Sequence, residues 1–561
     1  MATDLLWVKW LAIVVAFFAL CLIRPISLAV SFVCSFVIFL LLFYVFTPLF
    51  GKNKASSFAF PNHHITLTLL QLNDVYEIAG IDKGQSGGLA RVAWLRDSLV
   101  TANPGTVYTV LAGDFLSPSA MGTIKDTDNK AIAGRQMVSV LNAAGLDLVT
   151  FGNHEFDLNR SQLQECIDSS RFDWITANTK DSTAGYPRSF VKNKDGGATP
   201  IPSVIIKEFT DEDGTKVKIG FFGITIKSSA GAEYVSYSAY DSTAAGAIAL
   251  LKNKCDLIIA ITHLSLPDDL MLAKKFPQIN MIIGGHEHVN SYNTVGKTPV
   301  AKADANARTV YVHTLDYDTR SKQLSIQSKL IPINKKIPKA PAVDELIARW
   351  NKRADSLLRK TLMPCKQTAL LPYAFDGTEE SIRKDTTSLS LAIGKAMVKA
   401  VRPALVDCAL FNSGSIRIDD WLKDTITQYD LFRVLPYTDT VKVATMKGWV
   451  LDSLLNVSAR HPGEGCFLQH DGSITKEKNK WKINKEVINL KRDYRVAING
   501  YLLNGKQDKM AFIKDNAREV LPGKPGDTIK QPEMIQAVIE YFYVNYPPAS
   551  ISTGNWQLPC Y

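Results

Sequence analysis

Between residues 11 and 50 the chain carries a single charge, Arg24, in otherwise mostly apolar sequence. A short apolar run, 11–23, is interrupted by Arg24-Pro25, and a second run, 26–50, follows. About 20 apolar residues span a bilayer, so the second run is long enough alone. The combined stretch is too long for a cleaved signal peptide. Residues 1–54 are therefore expected to be a retained membrane anchor. Two arrangements stay open. In a hairpin turned at Arg24-Pro25, Lys9, Lys52 and Lys54 share one side, which the positive-inside tendency makes cytoplasmic. In a single pass, Lys9 and Arg24 oppose Lys52 and Lys54, and charge does not choose the side.

From residue 65 the pattern changes to short apolar runs separated by amphipathic stretches. Runs at 65–72, 107–112, 146–151, 256–262 and 279–283 predict strands, and 134–144 predicts a helix. This alternation predicts a layered α/β core over 65–335. Prolines at 338 and 341 punctuate the chain. A helix over 342–360 then offers Leu346, Ile347, Trp350, Leu357 and Leu358 to one face and reads as an interdomain connector. Residues 365–561 predict a second mixed domain, with a helix over 387–401 and a lysine-rich, solvated hairpin or loop over 476–492.

Length and composition agree with this division. A chain of 561 residues exceeds one ordinary core, and 46% apolar with 21% charged residues describes a folded protein. The net charge of +10 is spread out. It suits anionic substrates or membrane surfaces, but no basic block is dense enough for a nucleic-acid partner. The eight cysteines form no CxxC pair and do not define a redox compartment. Sequons at Asn159 and Asn456 carry little weight, since such triplets arise by chance.

Five motifs sit at the ends of five predicted strands. They are Gln-Leu-Asn-Asp74-Val-Tyr76, Ala-Gly-Asp114, Phe-Gly-Asn153-His154-Glu-Phe-Asp157, Ile-Thr-His263 and Ile-Gly-Gly-His286-Glu-His288. Each alone is commonplace; a Gly-Asp pair is usually a turn. Together they gather carboxylate, amide oxygen and imidazole, the ligand types of Zn, Mn and Fe. Two such metals about 3.5–4 Å apart can share a bridging carboxylate and hydroxide and promote in-line attack on phosphorus. Four of the nine histidines fall inside the motifs.

This order resembles the calcineurin-like metallophosphoesterase superfamily. More narrowly it is similar to the 5′-nucleotidase family, which adds a C-terminal substrate domain, and the resemblance covers nearly all of 65–561. It implies a four-layered β-sandwich flanked by helices, then a mixed α/β domain. It also implies two divalent or mixed-valence metal ions. Asp114 would bridge both. Asp74 and His288 would bind one, with whatever occupies position 76. Asn153, His263 and His286 would bind the other. His154, oriented by Asp157, would stabilise charge or protonate the leaving group; the alternative for Asp157 is a helix N-cap.

In the second domain the family signature appears as Asn412-Ser-Gly-Ser-Ile-Arg417. By resemblance, Asn412 contacts the base or sugar, Arg417 and Arg383 contact phosphate, and Tyr437 and Tyr501 sandwich a nucleobase. Family members can rotate this domain to deliver substrate, and a hinge would lie at 342–360. Two departures matter. Tyr76 replaces a histidine ligand, so site one could hold iron, bind its metal weakly, or take a substitute ligand. The stretch 504–508 replaces a glycine-rich loop, which loosens base recognition. The expected activity is metal-dependent hydrolysis of nucleotide monoesters. A cyclic nucleotide, nucleotide sugar or lipid headgroup stays open as substrate, as does a weakly active membrane scaffold.

Overall fold

A computed structural model describes residues 62–228, 232–361, 367–520 and 532–547. The expected anchor, 1–54, lies outside them. Among the described residues no helix is long and apolar enough to cross a membrane.

The first domain is built on two six-stranded sheets. In one, the strands run Leu324–Pro332, Thr309–Asp318, His64–Leu72, Val107–Ala112, Leu148–Thr150 and Asp173–Ile175 from edge to edge. In the other the order is Ser291–Val295, Thr298–Lys302, Met281–Gly284, Leu257–His263, Lys216–Thr225 and Val204–Thr210. The central strands of both are parallel. Period-2 alternation explains why their sequences read as unbroken apolar runs. Ile65, Leu67 and Leu69 point into the core between the sheets, while Leu70 and Leu72 point to the outer helices. Ile259 and Ile261 face inward and Ile258 and Ala260 outward in the same way.

Helices complete the four layers. Leu89–Ala102, Arg135–Ala144 and Arg160–Ser169 cover one sheet. Tyr240–Leu251 and Leu266–Lys275 cover the other. The connector helix Pro341–Thr361 begins on proline, whose fixed φ suits a first helical turn. It packs Leu346, Ile347, Trp350, Leu357 and Leu358 onto the first domain's helical layer.

The second domain is a five-stranded sheet ordered Leu468–His470, Cys408–Asn412, Asp493–Asn499, Val441–Lys447, Ala517–Glu519. Ser388–Ala400 and Met534–Asn545 pack on one face and Gly448–Arg460 on the other. The lysine-rich stretch forms a small antiparallel sheet from Ile474–Glu477, Lys480–Ile483 and Glu486–Val487. A buried charge cluster joins the domains. Arg433 donates to Glu77 from Nε (2.9 Å) and to Asp420 from Nη2 (3.1 Å), and Tyr429 donates to Glu77 at 3.3 Å.

Candidate metal centre and substrate cleft

Parallel strands end at a common edge, so residues that terminate or follow them meet in space. Asp74, Asp114 and Asn153 follow the strands His64–Leu72, Val107–Ala112 and Leu148–Thr150, while His263 ends its own strand. His286 and His288 follow Met281–Gly284. Three of these adopt left-handed backbone: Asp74 at φ 52°, Asp114 at φ 54° and His286 at φ 85°. Such conformations cost about 1–3 kcal/mol each, and they cluster at functional sites. Two glycines are obligatory. A Cβ on Gly152 would lie 2.1 Å from Asp114 Oδ1, and one on Gly285 would lie 2.2 Å from the Ala112 carbonyl.

Each carboxylate has one oxygen tied to the protein and one aimed into the pocket. Asp114 Oδ1 accepts the His154 N–H (2.8 Å), leaving Oδ2 3.1 Å from His263 Nε2. Asp74 Oδ2 accepts from Asn73 and from the His286 N–H, both at 2.9 Å. Its Oδ1 lies 3.7 Å from His288 Nε2 and 3.9 Å from His263 Nε2. His263 Nδ1 lies 2.8 Å from the Ala112 carbonyl, which accepts its proton and frees Nε2 to act as a ligand. Asp74, Asp114 and His263 thus offer ligand atoms within 4.8 Å of one another.

Electrostatics favour a cation here. Burial opposes a charge on His263, but Asp114 and Asp74 overcome it and raise its pKa to about 10. Burial likewise opposes the Asp114 charge, yet His263 and His154 hold the carboxyl well below its usual range. Burial and the His263 charge push His286 down to about 3, keeping it neutral and ligand-ready. Among the described residues the buried Asn153 Oδ1 has no hydrogen-bond partner, which leaves an acceptor free to ligate a cation. This donor set fits hard or borderline divalent metals.

Tyr76 sits inside this cluster. Its hydroxyl lies 3.2 Å from Asp114 Oδ2, 3.4 Å from Asp74 Oδ1 and 3.1 Å from His288 Nε2. Burial and the two carboxylates push the phenol well above its usual pKa, so it is a neutral donor.

His154 points the other way. Its Nδ1 lies 2.7 Å from Asp157 Oδ2, and its Nε2 lies 3.3 Å from Arg417 Nη2 of the second domain. The Arg417 guanidinium also lies 5.8 Å from the centre of the Tyr76 ring. Asp157 is not a helix cap: Asn159 caps the following helix with Gln162 in a capping box. Asp157 also lies within 3.5 Å of the Tyr437 hydroxyl.

The other cleft residues come from one polar network. Asn499 Nδ2 donates to Asn412 Oδ1 (3.1 Å) and Asp439 Oδ2 (2.9 Å), and the Tyr501 N–H donates to the same Asp439 oxygen (3.1 Å). This ties the Asn412, Tyr437 and Tyr501 segments together. Asn412 Oδ1 also accepts from Ser415, so its oxygen is satisfied internally. Arg383 is held at 2.6 Å by Glu379.

Three supporting residues escape sequence reasoning. Glu155 accepts backbone N–H bonds from Gly152, Asp114, Phe115 and Leu116 at 2.6–3.0 Å, fastening two ligand loops together. Lys302, fully buried, donates to the Leu264 and Gly285 carbonyls and to Glu287, bracing the His263 and His286 segments. Glu379 reaches His288 from the second domain. The first stands inside the Asn153–Asp157 motif and could have been flagged there; the other two carry no local signal.

Comparison with known proteins follows this division. Residues 67–290 match the family model for calcineurin-like phosphoesterases, and 367–514 match that for the 5′-nucleotidase C-terminal domain. Human 5′-nucleotidase is 25% identical, covering 87% of this chain and 91% of that protein. The trifunctional nucleotide phosphoesterase YfkN of Bacillus subtilis is 27% identical over 73% of this chain, which spans only 30% of that protein. In fold, the chain is similar to a 5′-nucleotidase precursor from Thermus thermophilus (TM-score 0.68, 20% identity, 85% of this chain and 96% of that one). It is also similar to the sulfate thiohydrolase SoxB (TM-score 0.63, 14% identity, 85% of this chain and 94% of that one).

Proposed function

The chain belongs to the 5′-nucleotidase family of calcineurin-like metallophosphoesterases and is a hydrolase of phosphoric esters, and we propose that it cleaves nucleotide monoesters with the help of two divalent cations. The observation that carries this reading is the meeting of His154 and Arg417 across the domain boundary, beside Asp114. A phosphoryl group there would meet a fixed guanidinium and an imidazole whose proton is managed by Asp157.

Asp114 would contribute to holding both cations. Asp74 and His288 would hold one, with Tyr76 beside it, and Asn153, His263 and His286 the other. When bound, such cations polarise phosphoryl oxygens and lower the pKa of attacking water. With Asp157 holding a proton on Nδ1, His154 would first take up a second proton from solvent at Nε2, as the imidazolium, and could then pass it to the leaving oxygen. Arg417 neutralises phosphoryl charge with a fork that can take two oxygens. Arg383 would add to this once released from Glu379. Tyr437 and Tyr501 would stack on the base from segments joined through Asp439. Relatives named 5′-nucleotidase and nucleotide phosphoesterase support this assignment.

The test is phosphate release from a panel of 5′-nucleotides, cyclic nucleotides, nucleotide sugars and simple phosphate esters, with Zn, Mn or Fe supplied in turn. Preferential release from 5′-nucleotides is expected. Equal turnover of esters lacking a base would overturn the nucleotide assignment, and no turnover with any metal would overturn the metal-dependent one. Residues 1–54 are proposed to anchor the enzyme to a membrane; extraction of the full chain by alkaline carbonate alone would refute this.

A further inference from the structure

We propose that Glu379 is a positioning residue for the metal centre, supplied by the second domain. The inference rests on the two-cation reading above. His288 turns Nε2 toward Asp74 and Tyr76, the side on which a metal would sit. Its other ring nitrogen, Nδ1, lies 2.8 Å from Glu379 Oε2. Alignment is too poor for a hydrogen bond here, so the contact is a close carboxylate–imidazole approach.

An imidazole can offer the Nε2 lone pair only when its proton sits on Nδ1. A carboxylate at Nδ1 fixes that tautomer and the ring plane, and makes Nε2 a stronger donor to a metal. His263 has an equivalent acceptor, the Ala112 carbonyl, within its own domain. His288 takes its acceptor from across the domain boundary.

Glu379 is itself held in place. It opens the short helix Glu379–Ile382, and its N–H donates to Asp419 Oδ1 at 2.9 Å. Asp419 in turn accepts from Arg308 of the first domain at 2.8 Å. The second carboxylate oxygen of Glu379 lies 2.6 Å from Arg383 Nη1. One carboxylate therefore meets a candidate phosphate-binding arginine and a candidate metal ligand at once. An ion pair serving only the helix would need Arg383 alone; the imidazole contact is what points to the metal. It follows that docking of the second domain and cation binding at His288 favour one another, because coupling between two sites is reciprocal.

The test is calorimetric titration of the full chain with Mn2+, alongside phosphate release. The native protein is expected to bind two cations; if it binds none, the two-cation reading fails and this inference with it. Glu379→Ala is expected to weaken one cation about 10–100-fold and leave the other unchanged. Glu379→Gln, which keeps an acceptor at Nδ1, is expected to recover most of that loss. Cation binding is also expected to slow amide exchange over 376–383 in the native chain but not in Glu379→Ala. Two intact cation affinities in Glu379→Ala, with the native chain active, would overturn this inference alone, as would a Gln variant no better than Ala. Should Glu379→Ala not fold, Glu379→Asp decides: it keeps the charge but withdraws it by one methylene, and unchanged affinity there overturns the inference.

Discussion

At the scale of single residues, His154 and Tyr76 are the informative positions. The His154 ring meets Asp157 through Nδ1 and Arg417 through Nε2, neither of them a candidate metal ligand. His154→Ala should therefore lower kcat by about 10²–10⁴-fold, the range for a general acid or charge stabiliser. Metal content, read by atomic emission, should not change; loss of metal together with activity would make His154 a ligand instead. Tyr76 stands where the resemblance leads one to expect a histidine, and its hydroxyl lies between Asp74, Asp114 and His288. A neutral phenol is a poor ligand, whereas imidazole is a good one. Tyr76→His should tighten binding of one cation at least tenfold in a calorimetric titration, and Tyr76→Phe should leave it within about threefold. A visible charge-transfer band from a tyrosinate on ferric iron would contradict the neutral-donor role.

Between elements, the two sheets are cross-linked by a buried polar chain near the site. Gln71 donates to the Gly284 and Ala301 carbonyls of the opposite sheet, at 3.1 and 2.8 Å. Its own carbonyl oxygen lies 2.8 Å from His313 Nε2, which must therefore carry the proton, leaving Nδ1 to accept from Ser328. Burial depresses His313 to about 3. An unfolded histidine titrates near 6.5. Between these values the unfolded chain binds the extra proton, so this contribution is present above about 6.5 and is lost as pH falls toward 3. The slope approaches about 1.4 kcal/mol per pH unit for one proton. His313→Gln should flatten that part of the stability–pH curve, measured by urea unfolding between pH 7 and 4. A variant curve parallel to the native one would show that His313 is not the titrating group. Lys302 and Glu155 do comparable work for the ligand loops, one by donating to carbonyls and the other by accepting N–H bonds.

Across the whole molecule, the candidate catalytic residues belong to one domain and the candidate phosphate and base contacts to the other. The docked arrangement depends on Arg433, whose guanidinium bonds Glu77 and Asp420 in a buried setting. Removing one partner from a buried charge cluster typically costs about 3–5 kcal/mol, because the remaining charges stay unpaired. Arg433→Met should therefore lower the unfolding midpoint clearly and raise KM more than it lowers metal affinity. Adding Glu77→Gln should recover part of the loss; a double variant no better than the single one would place the damage elsewhere. The SoxB likeness is one of fold, and a fold by itself does not fix substrate choice.

Much of this protein was legible in the chain itself. Apolar runs at 65–72 and 256–262 already marked strands, and their lack of polar alternation fits sheets covered on two sides. The candidate cluster was legible for a related reason: metal chemistry restricts residue types severely, and strand ends put them in short, recognisable motifs. The connector helix showed itself through its 3.6-residue period. What sequence left open was decided by contacts distant along the chain. The choice between cap and catalytic partner for Asp157 turned on Asn159 taking the cap. The satisfied oxygen of Asn412 depended on Asn499, and the restraint of Arg383 depended on a glutamate with no motif of its own. Lys302 and Glu379 could not have been found by spacing, since each acts through a loop or ring more than ten residues away in sequence. Local pattern determined what each segment would become and which atoms could bind a metal. Only the tertiary structure decided which of those atoms face the pocket, which are already satisfied, and that the second domain reaches the candidate metal centre.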